Sequence, residues 1–147
     1  MLGDFNNSGN IIGAENGMFV GENSSAVNII NTSTGMIKGE TGLRTQYGIG
    51  INNSGAIIGT NGDAITATNG NTKLFNSAFV QGTENGINVK DTAKMDIKNS
   101  GTISGETNAI MFASNKNNAL VLDTGSTLIG DVISTNSTGN TLTLIGT

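Results

Sequence analysis

At six points along the chain an aliphatic residue stands two places before a glycine. Ile11 precedes Gly13, Ile37 Gly39, Ile57 Gly59, Val80 Gly82, Ile103 Gly105 and Leu128 Gly130. The glycines are 26, 20, 23, 23 and 25 residues apart, and a motif used at a nearly fixed period is architecture before it is a site. A second apolar column lies eight residues before the glycine, at Phe5, Ile51, Leu74, Ile97 and Leu122, with Ile30 filling it in the second copy. A third follows the glycine by four to six residues, at Met18, Leu43, Ile65, Ile87 and Ile110. In the last copy Val132 and Ile133 come early.

Three short apolar stretches per repeat, alternating with polar residues and separated by polar turns, predict strands rather than helices. Three strands in about 23 residues cannot close hairpins around a core, but they can form one coil of a solenoid whose inward residues stack on the next coil. The spacing predicts an all-β fold, a right-handed parallel β-helix of about six coils of 20–26 residues with three strands each. With about 4.8 Å between stacked strands the coils make a column roughly 29 Å tall. Residues 1–147 read as one such segment, a piece of a longer surface protein. Residues 1–4 read as a lead-in, and residues 140–147 as the start of a further, truncated coil.

Between the first two columns the stretch NNSGNIIG at 6–13 returns as NNSGAIIG at 52–59 and KNSGTISG at 98–105. The NSG tripeptide is expected to form the same corner in every coil. Asn7, Asn53, Asn76 and Asn99 then stack into one ladder of side-chain amides, with Ser33 and Thr124 replacing them in the other coils. Gly9, Gly35, Gly55 and Gly101 are expected to supply a positive φ there. The fourth copy departs from the pattern with NSAF, and a bend or bulge is expected in that coil.

Composition agrees with a stack of thin coils. Only 35% of residues are hydrophobic and 4% aromatic, with 22 glycines and no proline. The charged fraction is 12% and the net charge is -4. With seven basic residues and no basic cluster, nucleic acid and anionic membrane surfaces are not expected partners. The absence of cysteine and histidine removes disulfides, thiolate nucleophiles, the usual general base and most transition-metal ligands. No catalytic residue, metal or cofactor is expected.

Of the acids, Glu15, Glu40, Glu84, Glu106 and Asp131 fall one or two residues after the closing glycines, where they read as solvated corners. A calcium ladder is the sharper alternative, because stacked carboxylates repel unless an ion bridges them. A polysaccharide-cutting β-helix needs acids clustered on a strand face, and none are seen. The GTNGDAITATNG stretch at 59–70 lacks the Gly-Lys-Ser/Thr ending of a phosphate loop.

The stretches INNSGAIIGTNGDAI at 51–65, IKNSGTISGETNAI at 97–110 and LVLDTGSTLIGDVISTNSTGNTLTLIGT at 120–147 resemble the passenger domains of monomeric type V autotransporters of Gram-negative outer membranes. The resemblance covers essentially the whole chain after residue 4. It implies a β-helix displayed outside the cell, a signal peptide before the segment and a membrane barrel after it, with no membrane contact by the segment itself. It further implies an adhesin that binds a host surface glycan, a host protein or another copy of itself. A stalk that only presents a distal binding domain is the alternative. A monomer is expected, with end-to-end packing at the open core end.

Two sets of residues are candidates for contact. Arg44 and Tyr47, the only arginine and the only tyrosine, are types enriched in binding hot spots. Alternation also turns outward the residues one and three before the closing glycine, which gathers Met36, Ala56, Ile58 and Phe79 into an apolar strip. Either a loop from the 26-residue interval covers that strip or a partner does.

Overall fold

The computed structural model describes residues 3–24 and 27–146. Of the lead-in at 1–4, Met1 and Leu2 lie outside the described residues, as does Thr147 at the other end. The regular structure among the described residues is entirely β, wound as a solenoid.

The first coil holds β1 (Phe5–Asn7), β2 (Asn10–Ile12) and β3 (Asn16–Val20), and the second β4 (Asn28–Asn31), β5 (Met36–Gly39) and β6 (Thr41–Thr45). The third holds β7 (Gly50–Asn53), β8 (Ala56–Gly59) and β9 (Ile65–Ala67), and the fourth β10 (Asn71–Asn76), β11 (Phe79–Gly82) and β12 (Asn85–Val89). In the fifth coil β13 (Lys94–Asn99) is followed by one long strand, β14 (Thr102–Phe112), that runs through both remaining faces. The sixth repeats this with β15 (Ala119–Asp123) and β16 (Thr127–Ser134), and β17 (Thr141–Ile145) stacks on β15 to begin another turn.

Every strand pairs in parallel with its counterpart one coil away, so the first strands form a seven-stranded sheet. Second and third strands form two further faces, which the long β14 joins.

Burial follows the periodic columns. On the second face Ile11, Ile37, Ile57, Val80, Ile103 and Leu128 stack in register, and Ile37, Ile57, Val80 and Ile103 are fully buried. The third face stacks Met18, Leu43, Ile65, Ile87, Ile110 and Val132 in register, and Leu43, Ile65, Ile87 and Ile110 are fully buried. Each buried branched aliphatic contributes about 1.5–3 kcal/mol. Many such residues, placed once per coil, substitute for the large aromatic core that the composition lacks.

The first face corrects the sequence reading in two coils. Its inward column is Phe5, Ile29, Ile51, Leu74, Ile97 and Leu120, so Ile29 rather than Ile30 and Leu120 rather than Leu122 fill it. The physical reason is a corner two residues longer in coils two and six. Four residues separate Asn31 from Met36 and Leu122 from Thr127, whereas two separate Asn53 from Ala56. Counting backwards from the closing glycine therefore slips by two residues there.

The same shift moves the amide ladder. Asn31, not Ser33, stands between Asn7 and Asn53, and Leu122, not Thr124, is in register with Asn99. Asn7 Nδ2 donates to Asn31 Oδ1 at 2.9 Å. Asn31 donates to Asn53, Asn53 to Asn76 and Asn76 to Asn99, each at 2.8 Å. These amides are buried, and each hands its hydrogens to the next coil, so the ladder satisfies polar groups that would otherwise cost free energy.

The corner glycines do a different job from the expected one. Gly9, Gly35, Gly55 and Gly101 are not among the glycines with positive φ, which are Gly70, Gly125 and Gly130. At Gly35, Gly55 and Gly101 the packing of the corner against neighbouring atoms excludes a side chain. A Cβ on Gly55 would lie 2.2 Å from the Gly35 carbonyl oxygen and 2.3 Å from that of Thr32. At the following corner a Cβ on Gly82 would lie 1.9 Å from the Asn85 carbonyl oxygen, because the chain doubles back on itself there.

Nor does coil four bulge at NSAF. Phe79 and Val80 stay in register with coil three and coil five. The irregular pairing lies between β14 and β16, where the register shifts between Ser104 and Ile110.

Candidate binding surface

Outward residues of the second face form two parallel columns. One runs Asn10, Met36, Ala56, Phe79, Thr102 and Thr127; the other runs Ile12, Lys38, Ile58, Gln81, Ser104 and Ile129. Strand pairing therefore brings Met36, Ala56 and Phe79 into one row, with Ile58 beside them. The Phe79 side chain is 60% exposed, and Met36, Ala56 and Ile58 are half-buried. The described residues of the loop in the 26-residue interval lie at the first coil. Its described ends, Ser24 and Val27, line a groove with Phe5, Phe19 and Ile29 at the first coil.

Arg44 and Tyr47 lie apart from this strip. Arg44 is on β6, on the third face, in register with Phe19, and its guanidinium carbon sits 6.0 Å from the centre of that ring. A cation over an aromatic ring at this range is attracted by the ring quadrupole, which holds the two exposed side chains together. Tyr47 follows in the next turn and is 37% exposed. Its backbone N–H donates to the Thr45 hydroxyl at 3.1 Å, and that hydroxyl donates to the Tyr47 carbonyl at 2.5 Å. The turn fixes the tyrosine backbone and leaves the ring facing out.

Glu15, Glu40, Glu84, Glu106 and Asp131 are exposed at the corners after their glycines. Among the described residues no three acidic side chains converge on a point where they could hold a metal ion. No helix of the described residues is long and apolar enough to cross a membrane.

One buried acid was missed by the repeat analysis. Asp63 is buried and accepts from Asn85 Nδ2 at 2.6 Å, from the Thr66 hydroxyl at 2.8 Å and from Asn88 Nδ2 at 3.0 Å. Asn108 Nδ2 in turn donates to Asn85 Oδ1 at 2.7 Å. These residues form a second, shorter ladder at the corner between the second and third faces. The signal was present in the sequence, since Asp63, Asn85 and Asn108 each follow a closing glycine by three or four residues. With three donors on its carboxylate, Asp63 braces the corner.

Also missed was Phe75, an outward residue of β10 on the first face, 52% exposed. Its column carries no glycine-anchored signal, so nothing in the repeat drew attention to it. No protein-family model matches the chain, and no curated protein or solved structure is detectably similar to it.

Proposed function

We propose that this solenoid is an adhesive segment displayed outside the cell, as its repeats' resemblance to autotransporter passengers implies. It carries no catalytic step and contacts a host surface or another cell through its outward faces. The observation that carries the reading is the outward strip of Met36, Ala56, Ile58 and Phe79, in which Phe79 is 60% exposed. A solenoid needs only its inward columns to fold, so an exposed ring with Met36 and Ile58 gathered beside it on adjacent coils costs solubility without serving the core. A stalk would favour polar outward columns throughout, which is what Asn10, Thr102 and Thr127 provide at the two ends of the same row.

The test is binding of the purified segment to cultured host cells, compared with an unrelated β-solenoid. Changing Ile58 and Phe79 to Ser is expected to abolish binding at unchanged thermal stability. Background binding by the unaltered segment would favour the stalk. Unchanged binding with lowered stability would show that the strip belongs to the packing of the coils.

A further inference from the structure

We infer that Asn69 is a self-modification site, where the backbone nitrogen of Gly70 displaces the side-chain amide as ammonia and water then opens the resulting ring to aspartate or isoaspartate. The chain holds four Asn-Gly pairs, at 16–17, 61–62, 69–70 and 85–86. Glycine leaves the attacking nitrogen unshielded, so these are the places where the reaction is sterically open. Asn16 lies on β3 and Asn85, buried, on β12. The paired backbone of a strand resists closure into a five-membered ring, and the Asn85 amide is further held by Asp63 and Asn108. Asn61 and Asn69 are exposed at corners between strands.

At Asn69 the reacting groups are already assembled. The Gly70 N–H donates to Asn69 Oδ1 at 2.8 Å, which folds the side chain back over its own peptide. A carbonyl bond is about 1.23 Å long, so Cγ lies no more than about 4 Å from the Gly70 nitrogen. A small turn of the side chain reaches the near-attack separation of about 3–3.5 Å.

Thr92, one coil further on, supplies the second element. Its hydroxyl donates to the same Asn69 Oδ1 at 3.0 Å, and its N–H is tied to the Thr68 carbonyl at 3.2 Å. Two donors meeting on one atom identify that atom as the amide oxygen. A donor fixed there polarises Cγ and stabilises the oxyanion that forms when the nitrogen adds. Gly70 is held from both sides. Its φ is 74°, its carbonyl accepts from the Lys94 N–H at 2.8 Å, and a Cβ on it would lie 2.3 Å from the Gly48 nitrogen. The geometry therefore belongs to the stacked coils, and not to the dipeptide alone.

The steps balance without oxidant or reductant. Hydroxide or water removes the Gly70 amide proton, and the nitrogen pair forms a bond to Cγ while the carbonyl pair moves to Oδ1 under the Thr92 hydroxyl. The oxyanion collapses, the Cγ–Nδ2 bond breaks and the nitrogen takes a proton from water to leave as ammonia. Water then adds to one of the two carbonyls of the succinimide. Addition at Cγ breaks its bond to the Gly70 nitrogen and gives aspartate. Addition at the main-chain carbonyl breaks the other bond and leaves the backbone running through Cγ as isoaspartate. Either product adds one negative charge at this corner.

The full chain should be incubated in mildly alkaline buffer, folded and in concentrated urea, and the peptides around Asn61 and Asn69 followed by mass spectrometry. The folded chain is expected to release ammonia and to accumulate aspartate and isoaspartate at Asn69 roughly tenfold faster than at Asn61, and faster than at Asn69 in urea. Thr92→Val should slow conversion at Asn69 roughly tenfold in the folded chain and leave it unchanged in urea. Thr92→Ser, which keeps the hydroxyl, should restore the rate, and melting curves of both variants verify that they are folded. Conversion at Asn69 no faster folded than in urea, or no faster than at Asn61, would overturn the site. An unchanged rate in Thr92→Val, or no rescue in a folded Thr92→Ser, would remove Thr92 and overturn the assembled geometry.

Discussion

Asn53 Nδ2 donates to Asn76 Oδ1 at 2.8 Å inside the stack, and Asn76 passes the same bond on to Asn99. The ladder has a direction, and it ends where Leu122 takes the next place. Direction makes the members unequal. Asn76→Leu leaves Asn99 Oδ1 buried without a donor, while Asn53 Nδ2 keeps the Gly55 and Phe79 carbonyls as acceptors. Asn99→Leu strands no side-chain acceptor, because Leu122 rather than an amide follows it, and Asn76 Nδ2 still reaches the Ala78 and Thr102 carbonyls. We expect a cost of about 3 kcal/mol for Asn76→Leu and about 1 kcal/mol for Asn99→Leu. Urea unfolding of the two variants would reveal the asymmetry, and equal costs would count against a directional ladder.

The corner glycines separate steric need from conformational need. A Cβ on Gly9 in the first coil would meet open space, whereas one on Gly55 would lie 2.2 and 2.3 Å from carbonyl oxygens. Neither has a positive φ. Gly55→Ala is therefore expected to destabilise by about 2–4 kcal/mol. Gly9→Ala should be neutral, or stabilising by up to about 1 kcal/mol through the unfolded chain. Thermal melts of both variants check this, and a large loss in Gly9→Ala would show that the corner demands glycine for its backbone angles.

This contrast also explains what the sequence could and could not disclose. The inward columns such as Ile37, Ile57 and Val80 were legible because each coil must bury a residue at the same place, so geometry is written as period. Ladder positions were legible wherever the corner length is constant. Coils two and six add two residues there, and only strand pairing shows that Asn31 and Leu122, rather than Ser33 and Thr124, hold the register. A glycine's purpose left no trace, since a close neighbour and a positive φ select the same residue type. The strip of Met36, Ile58 and Phe79 followed from alternation, but how far each of them is exposed is a tertiary fact. Phe75 was invisible because outward positions on the first face are free to vary.

Ile57 is fully buried between Ile37 and Val80. Ile57→Asp would bring a carboxylate into an aliphatic column with no donor to receive it, at a cost of several kcal/mol. Because each coil contacts chiefly its neighbours, the damage should centre on coils two to four. Hydrogen exchange would show lost protection there first. Protection equal to that of the unaltered chain would mean that the column does not form the core.

Asp123 offers a test at low pH. The Thr124 backbone N–H donates to its Oδ1 at 2.8 Å, and the Lys98 ammonium lies close by. These two influences, the backbone bond first, hold its pKa below the ordinary 3.8. A carboxylate whose pKa is depressed by folding stabilises the folded state at pH values above its unfolded pKa. That contribution fades as pH falls through the folded value. The group is exposed, so the effect should be small and sensitive to salt. In Asp123→Asn the acid-side decline of stability should be slightly shallower than in the unaltered chain at low ionic strength. Identical pH profiles would remove Asp123 from the account.

The last prediction concerns a group that the core holds without reward. Thr72 of β10 points inward and is buried, in register with Met95. The N–H of the next residue, Lys73, donates to the Ile49 carbonyl at 2.9 Å, so Ile49 borders Thr72 from the preceding coil. The Thr72 hydroxyl finds no hydrogen-bond partner among the described residues. A buried hydroxyl without a partner costs about 1–3 kcal/mol, whereas a methyl group of nearly the same size would lie against Ile49 and Met95 at no such cost. Thr72→Val is therefore expected to stabilise the chain by about 1 kcal/mol. The increment should appear as a higher melting temperature with binding to cells unchanged, because the residue faces away from both outward surfaces. A lower melting temperature in Thr72→Val would show that the hydroxyl is engaged in the folded protein.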